Sequence, residues 1–165
     1  MKIGRKGFML AEVVVISVVV ITVLITLYIG LNSVVSAYDT RNRYYDIDCL
    51  YAAMEVNEVL LENYPNTIKT DVAIDLSNKG DANSFEKFYE SAVGDVVNLY
   101  LTPYKKNVML SIENFQNINA TLVDYLNYLS GNLDFNEDYN YMIIVERIAP
   151  DDIDDCYYYA LKLKY

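Results

Sequence analysis

The chain has 165 residues, room for one modest domain, and 53% of them are hydrophobic, too many for a disordered tail. Twenty-three acidic against 13 basic residues give a net charge of −10, the wrong sign for a nucleic-acid binder, which needs a concentrated basic face to displace counterions. Histidine is absent and cysteine occurs only as Cys49 and Cys156, which excludes Ser-His-Asp and Cys-His catalysis, His-containing zinc sites, CxxC redox motifs and Cys₄ metal sites. No pair of carboxylates stands out for acid–base hydrolysis. The chain therefore reads as a non-enzyme without a cofactor.

Residues 1–7 are a short basic leader carrying Lys2, Arg5 and Lys6 and no acid. Residues 13–31, VVVISVVVITVLITLYIGL, then run without a charge and with only three aliphatic hydroxyls. About 20 apolar residues at 1.5 Å rise span the ~30 Å hydrocarbon core of a bilayer. Beta-branched residues dominate and form helices poorly in water, but in lipid a single spanning segment satisfies its backbone only as a helix. The basic leader predicts an N-terminus in the cytoplasm and a body outside. A cleaved secretory signal ending at Val35-Ser36-Ala37 is one reading, although its apolar core would be too long by several residues. An uncleaved signal anchor is a second. Neither accounts for Glu12, a carboxylate at the inner end of the apolar stretch, where an unpaired charge is costly.

A third reading gives Glu12 a partner. Gly7-Phe8-Met9-Leu10-Ala11-Glu12, preceded by Arg5-Lys6 and followed by the uninterrupted apolar run, resembles the N-terminus of type IV prepilins and pseudopilins. The resemblance is confined to the leader, the apolar segment and the start of the helix beyond it. It implies cleavage after Gly7 by a prepilin peptidase and N-methylation of the new terminal residue, Phe8. Glu12, then fifth in the chain, would neutralise the terminal amine of a neighbouring subunit, a charge pair closed between protomers in a dry core.

The same resemblance implies an α+β, pilin-like fold, with a transmembrane-plus-stem helix packed against a small head that holds an antiparallel sheet. It implies storage in the cytoplasmic membrane and later assembly into a cell-surface filament: a pilus, a type II secretion pseudopilus or a competence pilus. The implied partners are the prepilin peptidase, other pilin or pseudopilin subunits, an assembly platform protein and its ATPase; the net charge, separately, argues against direct contact with nucleic acid. Gly30 lies where major pilins usually carry a proline, and Met9 where Thr or Ser often follows the Phe; these departures fit a minor pilin or pseudopilin. The alternative is a single-pass, signal-anchored extracytoplasmic protein with an α+β binding domain that never joins a filament.

Beyond the apolar run, Val34, Tyr38, Tyr45, Cys49, Ala52, Val56 and Leu60 recur mostly three, four or seven apart, and Tyr64-Pro65 stops the pattern. These spacings predict one helix from Phe8 to Glu62, ~80 Å long, spanning the membrane over residues 8–31 and forming an amphipathic stem over 32–64. The head is then 65–165. It begins with a loop over 66–82 containing a short strand at Val72–Leu76, and continues as a helix over Asn83–Leu101 capped by Ser84. A strand follows at Val108–Ile112. A helix over Gln116–Leu129 turns Ile118, Leu122, Tyr125, Leu126 and Leu129 inward and closes at Gly131. Tyr139–Ile148 and Cys156–Lys164 form a hairpin across the acidic loop Asp151–Asp155. In its second strand Tyr157, Tyr159, Leu161 and Leu163 share the inward face, and Tyr158, Ala160, Lys162 and Lys164 the other.

Cys49 and Cys156 lie outside the membrane in this topology, where a disulfide between stem and hairpin is a candidate. Against it, Cys156 shares its nominal face with Lys162 and Lys164; two unpaired thiols are the alternative. Asp151, Asp152, Asp154 and Asp155 are weak calcium candidates, because their spacing matches no EF-hand loop and a solvated acidic turn explains them. Asn119-Ala120-Thr121 matches a glycosylation sequon. The 17 tyrosines define no site.

Overall fold

The computed structural model describes residues 5–77, 96–116, 118–149 and 152–164. It divides into two compact units, residues 1–41 and 42–165. Helix α1 (Arg5–Tyr44) supplies the first. It runs unbroken through Gly30 and is long and apolar enough to cross a membrane. Every large apolar side chain from Met9 to Leu31 is half exposed or more, on all sides of the helix. The hydroxyls of Ser17, Thr22 and Thr26 donate to the carbonyls of Val13, Val18 and Thr22, one turn back, at 2.8–2.9 Å. The apolar surface therefore presents no unsatisfied aliphatic hydroxyl, as a lipid environment requires.

The second unit is α+β. Helix α2 (Ile47–Asn63) is followed by a 3₁₀ turn at Thr67–Lys69 and then strands β1 (Ile74–Asp75) and β2 (Val96–Pro103). Helix α3 (Lys106–Leu110), a 3₁₀ turn at Ser111–Asn114 and helix α4 (Ala120–Asn132) cross over to β3 (Tyr141–Ala149) and β4 (Asp152–Leu163). The four strands form an antiparallel sheet in the order β1-β2-β3-β4.

Alternation along β3 divides the core in two. Tyr141, Ile143 and Val145 join Cys49, Ala52, Ala53, Val56 and Leu60 of α2, while Met142 and Ile144 join Leu122, Tyr125, Leu126 and Leu129 of α4. Both faces of this central strand are covered, which is why it reads as a continuous apolar run rather than an alternating one. On α2 the buried positions keep the predicted stripe, and Ala52 and Ala53 add no bulk between helix and sheet. The predicted faces of β4 are also correct: Tyr157, Tyr159, Leu161 and Leu163 pack toward α2. The opposite face is covered as well, since Tyr158 is fully buried under α4 and Cys156 and Ala160 pack with it.

Several elements differ from expectation. The single helix over Phe8–Glu62 is two, broken at Tyr45-Asp46. Of the helix expected over Asn83–Leu101, residues 83–95 lie outside the described residues and Val96–Leu101 belong to strand β2. Its apolar residues serve both sheet faces, Leu99 and Leu101 on one and Tyr100 on the other, and such a run also satisfies helical spacing. The strand expected at Val108–Ile112 is helix α3 and the following 3₁₀ turn. Strand β2 already pairs with β1 and β3, so this segment has no place beside it; Met109 and Ile112, three apart, turn inward instead. Helix α4 starts later than expected, capped by Asn119, and contains Gly131 in its last turn, with the Leu133 N–H closing onto Leu129. The hairpin loop is shorter than expected, because Asp152, Asp154 and Asp155 belong to β4.

Candidate functional site

Two places carry candidate function: the start of α1 and the point where the chain enters α2. At the first, Lys2 lies outside the described residues, while Arg5, Lys6, Gly7 and Phe8 form the opening of α1. Glu12 is exposed on that helix, one turn past Phe8, between exposed Leu10 and Val13. Glu12 is thus an exposed carboxylate flanked by exposed apolar side chains.

At the second, consecutive residues of β3 each clamp a helix N-cap on their own side of the sheet. Arg147 faces α2. Asp46 caps that helix, accepting from the Cys49 N–H at 2.9 Å, and its remaining lone pairs accept from Arg147 Nε at 2.7 Å and from the second guanidinium nitrogen at 3.0 Å. Asp48 adds a contact at 3.1 Å, and the guanidinium lies over the Tyr157 ring at 5.2 Å. The pair is nearly dry, with side chains 7% and 12% exposed.

Glu146 faces α4. It is fully buried and accepts from Asn98 at 2.8 Å, from the Tyr158 hydroxyl at 3.1 Å and from the amide nitrogen of Asn119. The Asn119 oxygen meanwhile caps α4 at the Leu122 N–H, 2.6 Å away. The chemistry explains the pairing. An Asp cap has only acceptors left, so it takes a donor, Arg147; an Asn cap has an amide donor left, so it takes an acceptor, Glu146. The sequon residues are thus structural: Asn119 is committed to Glu146 and Leu122, and Thr121 bonds Tyr158 at 2.7 Å.

A tyrosine cluster completes the junction. The Tyr44 ring lies 4.9 Å from Tyr125, 4.8 Å from Tyr128 and 6.1 Å from Tyr158, and Tyr125 stacks on Tyr158 at 4.8 Å. The Tyr45 and Tyr128 hydroxyls meet at 3.2 Å. That bond first, and burial second, push Tyr128 up to about 12. Burial, then the Glu146 carboxylate, raises Tyr158, so both hydroxyls stay protonated.

Electrostatics at Asp46 carry a pH prediction. Burial alone would raise its carboxyl, but hydrogen bonds from Arg147 and the Cys49 N–H outweigh that and hold it below the ordinary aspartate range. A depressed folded-state value gives stability that is present above the unfolded value and is lost as pH falls through the folded one. Thermal unfolding of the full chain in detergent, followed by circular dichroism, is therefore expected to shift to lower temperature below about pH 4, and Asp46→Asn to flatten that dependence. An unchanged acid limb in Asp46→Asn would assign it to other carboxylates.

Cys49 and Cys156 are not bridged. Cys49 packs in the α2-facing cluster and Cys156 against the α4-facing one, so the sheet separates them. The Cys49 thiol donates to the Tyr157 carbonyl at 3.6 Å; burial, then the Asp46 carboxylate, pushes it up, keeping it a thiol. Asp151 lies outside the described residues, and Asp152, Asp154 and Asp155 are described only as part of the β4 backbone. Among the described residues no group of three or more acidic, cysteine or histidine side chains is placed to hold a metal ion.

The two clamps leave one trace in the sequence. Glu146-Arg147 is a charged pair inside the apolar stretch Tyr141–Ile148, and residues of opposite parity in a strand covered on both faces each need a buried partner. Comparison with family models, curated proteins and solved structures finds no match to this chain.

Proposed function

We propose that the chain is a structural subunit of a type IV filament, a minor pilin or pseudopilin, cleaved after Gly7, methylated on Phe8, held in the cytoplasmic membrane and then extracted into the filament. The observation that carries this reading is the conjunction of Gly7-Phe8 and Glu12 with a helix whose large apolar side chains from Met9 to Leu31 are all exposed. At 40 residues that helix extends ~60 Å, twice what a bilayer crossing needs. A lipid-stored segment that later packs among copies of itself has this form: apolar all round, with one carboxylate to pair. The head, an antiparallel sheet covered on one face by α2, agrees with the pilin-like layout that the leader implies. The basic leader keeps the N-terminus in the cytoplasm, where an assembly platform and its ATPase act, and leaves the head outside.

Processing tests the reading directly. Coexpressed with a prepilin peptidase, the chain is expected to yield a product starting at methylated Phe8 by intact mass, and replacement of Gly7 by a bulky residue to abolish it. Retention of Met1 beside active peptidase would establish a plain membrane anchor. A product starting at Tyr38 would establish a secreted head.

A further inference from the structure

Residues 41–50 read RNRYYDIDCL, with neither proline nor glycine, yet helix α1 stops at Tyr44 and α2 starts at Ile47. Helix breaks without those residues need another cause. Here it is a set of substitute bonds. In an unbroken helix the Asp46 N–H would donate to the carbonyl of Asn42, and the Cys49 N–H to that of Tyr45. Instead the Asp46 N–H donates to the Tyr158 carbonyl of β4 at 3.2 Å, and the Cys49 N–H to the Asp46 carboxylate at 2.9 Å. Asp46 itself takes an extended conformation, φ −69° and ψ 132°.

These two bonds replace two of the four that a continuous helix would form across the break, from the N–H groups of residues 46–49. What favours the break is the Asp46–Arg147 pair and the packing of Tyr44 among Tyr125, Tyr128 and Tyr158. Asp48, half exposed and 3.1 Å from the same guanidinium, keeps Arg147 compensated when Asp46 leaves. The alternative state therefore strands no buried charge, the feature that makes an element bistable rather than merely locked.

We propose that Asp46 is a hinge between two states of the stem. In the broken state it is clamped by Arg147 and the Tyr158 carbonyl. In the straight state it rejoins one continuous helix through α1 and α2. A subunit that leaves a bilayer for a filament changes the surroundings of its helix, and such a hinge lets the stem change form while the head stays folded. That use rests on the filament reading; the hinge itself does not.

The test is nuclear magnetic resonance on the isotope-labelled full chain in detergent micelles. In the wild type the ¹³Cα secondary shift at position 46 is expected to be negative, as in extended backbone. In Arg147→Met, and separately in Asp46→Leu, it is expected to turn positive, as in a helix, while amides of β3 and β4 keep slow hydrogen exchange. The second variant removes the cap and the charge but leaves Arg147 paired to Asp48, so it holds if the first fails to fold. A negative shift persisting in a folded variant, or loss of sheet protection in both, would make the clamp a fixed structural lock and overturn the hinge. Leader cleavage and filament incorporation are read separately, so either conclusion can fail without the other.

Discussion

Glu12→Ala is expected to leave the chain processed and inserted in the membrane but absent from sheared surface filaments. The substitution makes the segment more apolar, so insertion is unharmed. Cleavage after Gly7 persists, because the scissile bond lies upstream. What is lost is the carboxylate that, in the filament reading, meets the Phe8 amine of a neighbouring subunit. Removing one side of a buried pair costs about 3–5 kcal/mol, since the other charge stays uncompensated. That is roughly two to four decades in the equilibrium for joining the filament, a difference immunoblots of membrane and filament fractions resolve. Wild-type amounts of the variant in the filament fraction would show that Glu12 pairs with nothing there.

Glu146→Ala is expected to destabilise the head by about 2–4 kcal/mol, because three donors lose one fully buried acceptor, each bond worth roughly 1–3 kcal/mol before water and the nearby Thr121 and Asn119 oxygens replace part of it. Those donors are the Asn98 amide, the Asn119 amide and the Tyr158 hydroxyl. Loss of the Asn119 contact also frees the cap of α4. Glu146→Gln keeps an acceptor but turns an amide group toward these donors, so its effect is expected to be smaller, about 1–2 kcal/mol. Urea unfolding of the full chain in detergent, followed by tyrosine near-ultraviolet dichroism, measures both. A loss under about 1 kcal/mol for Glu146→Ala would mean that water replaces the carboxylate and the network does not hold α4 in place.

The sequence by itself determined the elements whose signal is local. The apolar run over residues 13–31 requires a helix in lipid whatever its propensities in water, and α1 is continuous through it. The stripe Cys49, Ala52, Val56 and Leu60 marked the buried side of α2, and Leu122, Tyr125, Leu126 and Leu129 that of α4, because a period of 3.6 is read directly from spacing. Alternation in the last strand assigned its two faces, whereas the separation of Cys49 from Cys156 by the sheet was left open by the sequence and decided by the fold.

Only the tertiary structure decided the rest, and for a common reason. Where both faces of a segment are buried, apolar residues recur at every spacing, so Val96–Pro103 satisfied a helical pattern and became a strand because β1 and β3 flank it. With both sides of β2 taken, Val108–Ile112 turned helical. At Tyr45-Asp46 no residue punctuates the helix; the break exists because Tyr158 offers a carbonyl and Arg147 a guanidinium, 112 and 101 positions away along the chain. Asn119 likewise reads as a sequon until Glu146 is brought to it. Spacing reports what a residue does with its neighbours in sequence, whereas a cap, a clamp or a strand edge is set by groups that only folding brings within 3 Å of one another.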